Sequence, residues 1–392
     1  MNVNHLKKID NIMKEMVDSG FAAGASTLIL QDGKEIYYNA EGFIDIEKQK
    51  KVERDSIFRL YSMSKPITGA AVMLLCEDGL LDLNLPVGEF LPTYKKQVFL
   101  CDGEKKPVWR DMKVKDLLNM TSGLSYGGIS NENETFTTAL TLELMRRMDT
   151  DHEMTTLEFA SSLGEGPLLF SPGTDFNYSF SADVLGAIIE VVTGKRFGDF
   201  MKERIFEPLE MQDTDFWVPA EKQERLTKVY EQSSKGLKEY TFNNLGVNLA
   251  MAHRPGFESG GAGLVSTLDD YNKFAQMLMN KGLYNGKRIM QEGTVKYFTC
   301  GKSEASADRA IQYMDGMNGF TYANLLRVCE TPERSVTLCS KGEYGWDGWL
   351  GPYFINDPAH KITILHMLQR KDSGTTSYMR RIRNVVYSAC ES

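Results

Sequence analysis

Cysteine and histidine are both scarce in this chain, and neither falls into a ligand pattern. Six cysteines (Cys76, Cys101, Cys300, Cys329, Cys339 and Cys390) are scattered over 392 residues, too sparsely for a disulfide scaffold, and no two form a C-x-x-C pair able to hold zinc. They read as free thiols in a reducing compartment. Five histidines (His5, His152, His253, His360 and His366) show no H-E-x-x-H or comparable spacing, which predicts no catalytic metal. The glycine-rich run Gly260 to Gly263 lacks the lysine of a phosphate loop and the G-x-G-x-x-G of a dinucleotide site, so no cofactor is expected. Basic residues are outnumbered, 45 against 53 acidic for a net charge of −8, and form no stripe that would track a phosphate backbone, which argues against nucleic acid. No apolar run approaches the roughly 18 residues that cross a bilayer. Residues Met1 to His5 lead into a mixed polar and apolar stretch, not a signal peptide. The expectation is a cytoplasmic protein acting on a small molecule, with no membrane partner.

What is present is an ordinary globular composition, 42% hydrophobic and 25% charged. Leu6, Ile9, Met13, Met16 and Val17 recur at helical spacing, predicting an amphipathic first helix. Ala25–Leu30 and Glu35–Asn39 flank Asp32-Gly33, a strong hairpin signal because both turn positions tolerate positive φ. Near the other end, Phe320–Val328, Ser335–Cys339, Pro352–Asn356 and Lys361–Met367 read as strands, with Asp357-Pro358 turning the last pair and Tyr378–Ala389 a closing helix. Between lie helical patterns at Ile67–Cys76, Leu140–Met148, Ala182–Val192 and Asp270–Met279. Since consecutive elements tend to be neighbours, the expected fold class is α+β: one antiparallel sheet from both chain ends, flanked by the terminal helices, with a large helical insertion. Residues 1–392 are expected to form a single catalytic unit, with a sheet subdomain of 1–61 plus 300–392 and a mainly helical subdomain of 62–299.

Chemistry concentrates at Ser62-Met63-Ser64-Lys65, an S-x-x-K tetrad at the head of a helical pattern (Ile67, Ala70, Ala71, Leu74) that Gly79 can stop. A spacing of three puts the Ser62 hydroxyl and the Lys65 amine on one face, a turn apart. Serine becomes a nucleophile only when a base takes its proton, and lysine becomes a base only when burial depresses its pKa. By itself the tetrad is better read as an N-cap serine with a surface lysine.

The segments around it change that balance. Phe58-Arg59-Leu60-Tyr61 precedes Ser62. Downstream stand Lys115–Leu124, Pro172–Ser179, Gly260–Thr267 and Tyr344-Gly345-Trp346-Asp347-Gly348. In this order and spacing the set resembles the serine β-lactamase and penicillin-binding-protein superfamily, within it the class C-like branch of family VIII carboxylesterases and lovastatin-type acyltransferases. The resemblance implies a β-lactamase/transpeptidase-like fold and a serine hydrolase working through an acyl-enzyme. It implies Ser62 as nucleophile, Lys65 as proton acceptor, and Tyr178 as the hydroxyl that shares the proton and passes it to the leaving group. A phenol near an ammonium is expected to have a lowered pKa. The backbone N–H groups of Ser62 and Trp349 are then the oxyanion hole, with Trp346, Asp347, Gly348, Phe180 and Tyr126 at the substrate.

Departures from the lactamase pattern bear on substrate. Y-x-N reads Tyr178-Ser179-Phe180, without the amide, and the basic residue of K-T-G is replaced by Trp346. Both losses favour small apolar esters over β-lactams or D-amino-acid peptides. Asp347 could be a turn residue, repel anions or meet an amine. An amidase on the same site and an inactive binding protein of the same fold are the alternatives. Ser125, in Gly123-Leu124-Ser125-Tyr126-Gly127, matches the G-x-S-x-G elbow, but that elbow needs a strand before it and a helix after it, and here the preceding residues read as helix and the following ones as loop. Met145, Met148 and Met154 are expected in the helical part over the site, as core or as an adaptable apolar wall, and His253 near the glycine run.

Overall fold

The computed structural model describes residues 1–303, 311, 314 and 316–390. Its sheet has eight antiparallel strands: β1 (Gly24–Gln31), β2 (Lys34–Asp45), β3 (Lys50–Lys51), β4 (Phe320–Ala323), β5 (Leu326–Cys329), β6 (Tyr344–Asp347), β7 (Tyr353–Asp357) and β8 (Ile362–Leu368), in the order β4-β5-β6-β7-β8-β1-β2-β3. The two chain ends meet at the centre, where Ala25 lies opposite Leu368 and Gln31 opposite Ile362. Asp32 and Gly33 turn the first hairpin with φ of 51° and 71°, the left-handed pair that such a two-residue turn requires.

Two sequence expectations are corrected. Phe320–Val328 is a hairpin and not one strand, because Asn324 and Leu325 both take positive φ (54° and 64°). Ser335–Cys339 is irregular: its β-prone side chains Val336 and Leu338 stand 58% and 50% exposed, and without a paired neighbour a short apolar run does not become a strand.

Each face of the sheet has its own core. Ala25, Ile29, Ile355 and Ile364 pack on helix α1 (Lys8–Asp18) through Ile9, Met13 and Met16, and on the last helix through Met379, Ile382 and Val386. Residues of opposite parity, Leu28, Leu30, Trp346, Phe354 and Leu365, face the helical part, as the two-residue period of a strand dictates. Each such side chain contributes about 1.5–3 kcal/mol by leaving water.

The helical part supplies α2 (Ser64–Glu77), α3 (Val114–Leu118), α4 (Glu132–Arg147), α5 (Thr156–Leu163), α6 (Ser181–Thr193) and α7 (Leu268–Met279), and the chain closes with α8 (Ser377–Ser388). Helix α2 is buried continuously from Ser64 to Leu75, the mark of a helix at a protein's centre. Pro66 is accommodated because its missing N–H falls in the first turn. The chain then turns at Gly79, with φ of 71°. Among the described residues no helix is long and apolar enough to cross a membrane.

Candidate active site

Ser62 sits in a single 3-10 turn (Tyr61–Met63) leading into α2. That turn is clamped: Phe58–Arg59 pair with Val265–Ser266, Leu60 N–H donates to Leu264 O at 2.8 Å, and the Tyr271 hydroxyl donates to Met63 O at 3.0 Å. Arg59 is buried, donating to the carbonyls of Thr227 and Leu249. Burial lowers its pKa to about 10. Tyr61, fully buried, takes φ of 44°, a left-handed conformation costing of order 1–3 kcal/mol that surrounding packing must hold.

Lys65 has no exposed surface. Its Nζ lies 3.1 Å from Ser62 Oγ, 2.9 Å from the Tyr126 hydroxyl and 2.8 Å from Gly261 O. No carboxylate touches it, so burial dominates and lowers its pKa to about 7, with Asp183 and Asp347 opposing from a distance. A carbonyl can only accept, so Gly261 fixes one N–H; a second meets Tyr126, and the lone pair of the neutral amine is left for the Ser62 proton. A Cβ on Gly261 would stand 2.7 Å from Asp183 Oδ2, so a side chain here would displace that carboxylate. Asp183, on α6, is itself buried, accepting from the Ser259 hydroxyl and the Gly261 N–H. Desolvation raises its pKa.

Tyr178 approaches differently from the sequence expectation. Its hydroxyl accepts from the Trp346 indole at 2.8 Å, while the Lys65 ammonium stands 4.6 Å over its ring; the hydroxyl beside Lys65 is that of Tyr126. The expected lowering of the Tyr178 pKa is reversed. Burial pushes it well above the usual phenol value, against hydrogen bonds from Ser62 and Trp346. Tyr178 is therefore a neutral phenol at ordinary pH.

On the other side of Ser62 runs β6. It is paired on both sides at Tyr344 and Gly345, but only with β7 at Trp346 and Asp347, which frees its end towards Ser62. Gly348 allows the approach: a Cβ there would lie 2.2 Å from Leu60 O. The Trp349 ring then packs on Tyr61, centroids 4.9 Å apart. Among the described residues neither the Ser62 nor the Trp349 N–H has a backbone acceptor outside regular secondary structure.

Trp346 is 4% exposed and lies beneath Tyr178. Phe180, expected at the substrate, is 1% exposed. It is a packing residue, wedged between Tyr126 and Phe159 at centroid distances of 4.7 and 5.0 Å, because it immediately precedes α6 and faces the core. Asp347 accepts from the Thr375 hydroxyl and so ties β6 to the approach of α8. Ser125 is 3% exposed and its hydroxyl accepts from Gly127 N–H, a local turn and no elbow. Met148 and Met154 line a cleft with Leu144, Phe257 and His253. His253 is half exposed, 3.2 Å from Asp149 and 3.4 Å from Glu153. Neither Asp183 nor the contact of Tyr126 with Lys65 follows from sequence spacing. A carboxylate inside the apolar pattern of α6 was the available signal for the first.

The sequence profile of the Beta-lactamase family matches residues 9–387. The chain belongs to the Beta-lactamase family. This Beta-lactamase family member is 25% identical over 402 residues to Esterase EstB of Burkholderia gladioli, covering 97% of the chain and 95% of the esterase. It is 28% identical over 366 residues to Protein Rv1367c of Mycobacterium tuberculosis, covering 91% and 88%. Among solved structures it resembles EstCE1, a hydrolase with promiscuous acyltransferase activity, at TM-score 0.81 and 26% identity over 98% of this chain and 99% of that one. Simvastatin Synthase (LovD) from Aspergillus terreus shares the fold at TM-score 0.78 and 18% identity, covering 98% and 97%. The resemblance carried by the Ser62 tetrad and its downstream motifs is thus borne out, as is the α+β fold. The fold family is one of serine hydrolases.

Proposed function

We propose that the protein is a carboxylesterase acting through an acyl-enzyme on small esters with an apolar acyl or alcohol part, its sheet and helical parts forming one catalytic unit. The observation that carries this is Lys65: buried, unpaired with any carboxylate, 3.1 Å from Ser62 Oγ and with a pKa near 7. The neutral amine takes the Ser62 proton as Oγ attacks the ester carbon. The N–H groups of Ser62 and Trp349 hold the alkoxide, each such donor contributing a factor of about 10² to 10³ in rate. Collapse expels the alcohol, to which the neutral Tyr178 phenol gives its proton. The Lys65 ammonium over the ring stabilises the resulting phenolate. Water then attacks the acyl-serine, the Tyr178 phenolate taking its proton while the Lys65 ammonium returns its own to Ser62 Oγ as the acid leaves.

Ester preference is supported by the aromatic surroundings. Trp349 meets Tyr240 edge-on at 5.9 Å, and Tyr240 meets the exposed Phe242 edge-on at 5.6 Å, an apolar shelf beside the oxyanion position. The likeness to EstCE1 supports a second reading, transfer of the acyl group to an acceptor alcohol. Asp347 is already engaged by Thr375, which weighs against recognition of a substrate amine. Short-chain aryl esters, a chromogenic cephalosporin and a D-amino-acid amide, run on wild type and Ser62→Ala, test the reading. Ester turnover lost in Ser62→Ala is expected, and ester turnover that survives it would sink the assignment.

A further inference from the structure

Two of the six cysteines are neighbours in space. Cys329 ends β5 and is 1% exposed, Cys339 is half-buried on the irregular segment before β6, and their sulfurs lie 3.5 Å apart. No other two thiols are in contact among the described residues. The two sit in unequal surroundings. Cys329 is fixed in the sheet, its N–H donating to Glu343 O at 2.7 Å and its carbonyl accepting from Gly342 N–H at 2.8 Å. Cys339 lies on residues 335–340, which carry the exposed Val336 and Leu338 and touch α8 through Leu338 N–H to Asn384 Oδ1. An S–S bond is about 2.05 Å long, so the two sulfurs must approach further to bond, and the less regular of the two surroundings is that of Cys339. The hydrogen bond between the thiols also divides their acidity: it holds Cys339 below the usual thiol value, while with burial it raises Cys329.

We propose that Cys329 and Cys339 form a redox site, closed to an intramolecular disulfide by a low-molecular-weight disulfide of the glutathione type. The Cys339 thiolate attacks one sulfur of the oxidant, forming a mixed disulfide and releasing one thiolate. The Cys329 thiol then loses its proton and attacks Cys339 Sγ, expelling the second small thiol. Two protein thiols are oxidised and one small disulfide is reduced to two thiols. The bond staples the corner from which β6 runs to Trp346 and Trp349. In a reducing environment the pair stays open.

The test uses the full chain. Trypsin cuts after Arg327, Arg334 and Lys341, placing the two cysteines on separate peptides, 328–334 and 335–341. After incubation with oxidised glutathione and alkylation with N-ethylmaleimide, an unreduced digest is expected to give these peptides joined, and dithiothreitol to separate them. The thermal midpoint of the oxidised protein is expected to rise by about 2–5 °C, as closing a short loop does in a chain this long. In Cys329→Ser, glutathione should remain on Cys339, with nothing to displace it. In Cys339→Ser, Cys329 should stay free of glutathione. Recovery of both wild-type peptides singly alkylated overturns the proposal, and glutathione on Cys329 in Cys339→Ser overturns the order of attack.

Discussion

Two buried cations flank β6 and are treated in opposite ways. On the face covered by α1 and α8, Arg383 is 2% exposed and meets Glu343 at 2.9 Å, with Tyr387 and Tyr353 completing the shell. Burial works against its charge, and Glu343 with the two phenols more than restores it. On the other face Lys65 is buried as completely but has only hydroxyls and a carbonyl in contact, and its pKa falls to about 7. A buried charge with a counter-ion becomes a structural tie. A buried charge without one becomes a proton acceptor at neutral pH.

The largest expected effect is on the unpaired cation. Lys65→Met should lower kcat/KM for an aryl ester by about 10² to 10⁴, the usual contribution of a general base, with the far-UV circular dichroism unchanged. Arg383→Met strands Glu343 in the core and should cost about 3–5 kcal/mol in urea denaturation. If the faces are independent, it leaves the pH profile where it was.

That profile is the next test. Lys65 must be neutral to act and its folded value lies near 7, below the ordinary 10.5, so kcat/KM should rise through about pH 7 and level off above pH 8. An activity flat from pH 5.5 to 8 would remove Lys65 from the role of base. The same shift makes the unfolded chain bind the extra proton between pH 7 and 10.5, so the Lys65 contribution to stability should improve as pH rises across that window. Smallest is Trp346→Phe, which removes the donor to Tyr178 and should lower kcat by about tenfold, the equivalent of one hydrogen bond of about 1.4 kcal/mol.

The parts of this arrangement that the sequence discloses are those set by local order. Ser62 and Lys65 are three residues apart on one turn, and the strands around Asp32-Gly33 and Asp357-Pro358 carry their own turn chemistry. What it hides depends on distant segments meeting. Tyr126, Asp183 and Gly261 come from three regions and converge on Lys65 only once α6 and the Gly260–Gly263 run are packed against α2. Phe180 misleads because adjacency to Tyr178 in the chain says nothing about which way a ring turns at the start of a helix. Val336 and Leu338 mislead because β-propensity measures fit to a neighbouring strand, and that segment has none.

Gly261 takes on a different weight in a library of every substitution at every position, sorted for turnover. It has no side chain to react, yet its carbonyl holds the lysine, and its missing Cβ leaves room for Asp183. Such a screen should find it as intolerant as Ser62, so that a position without chemistry of its own scores as if it were part of the reaction.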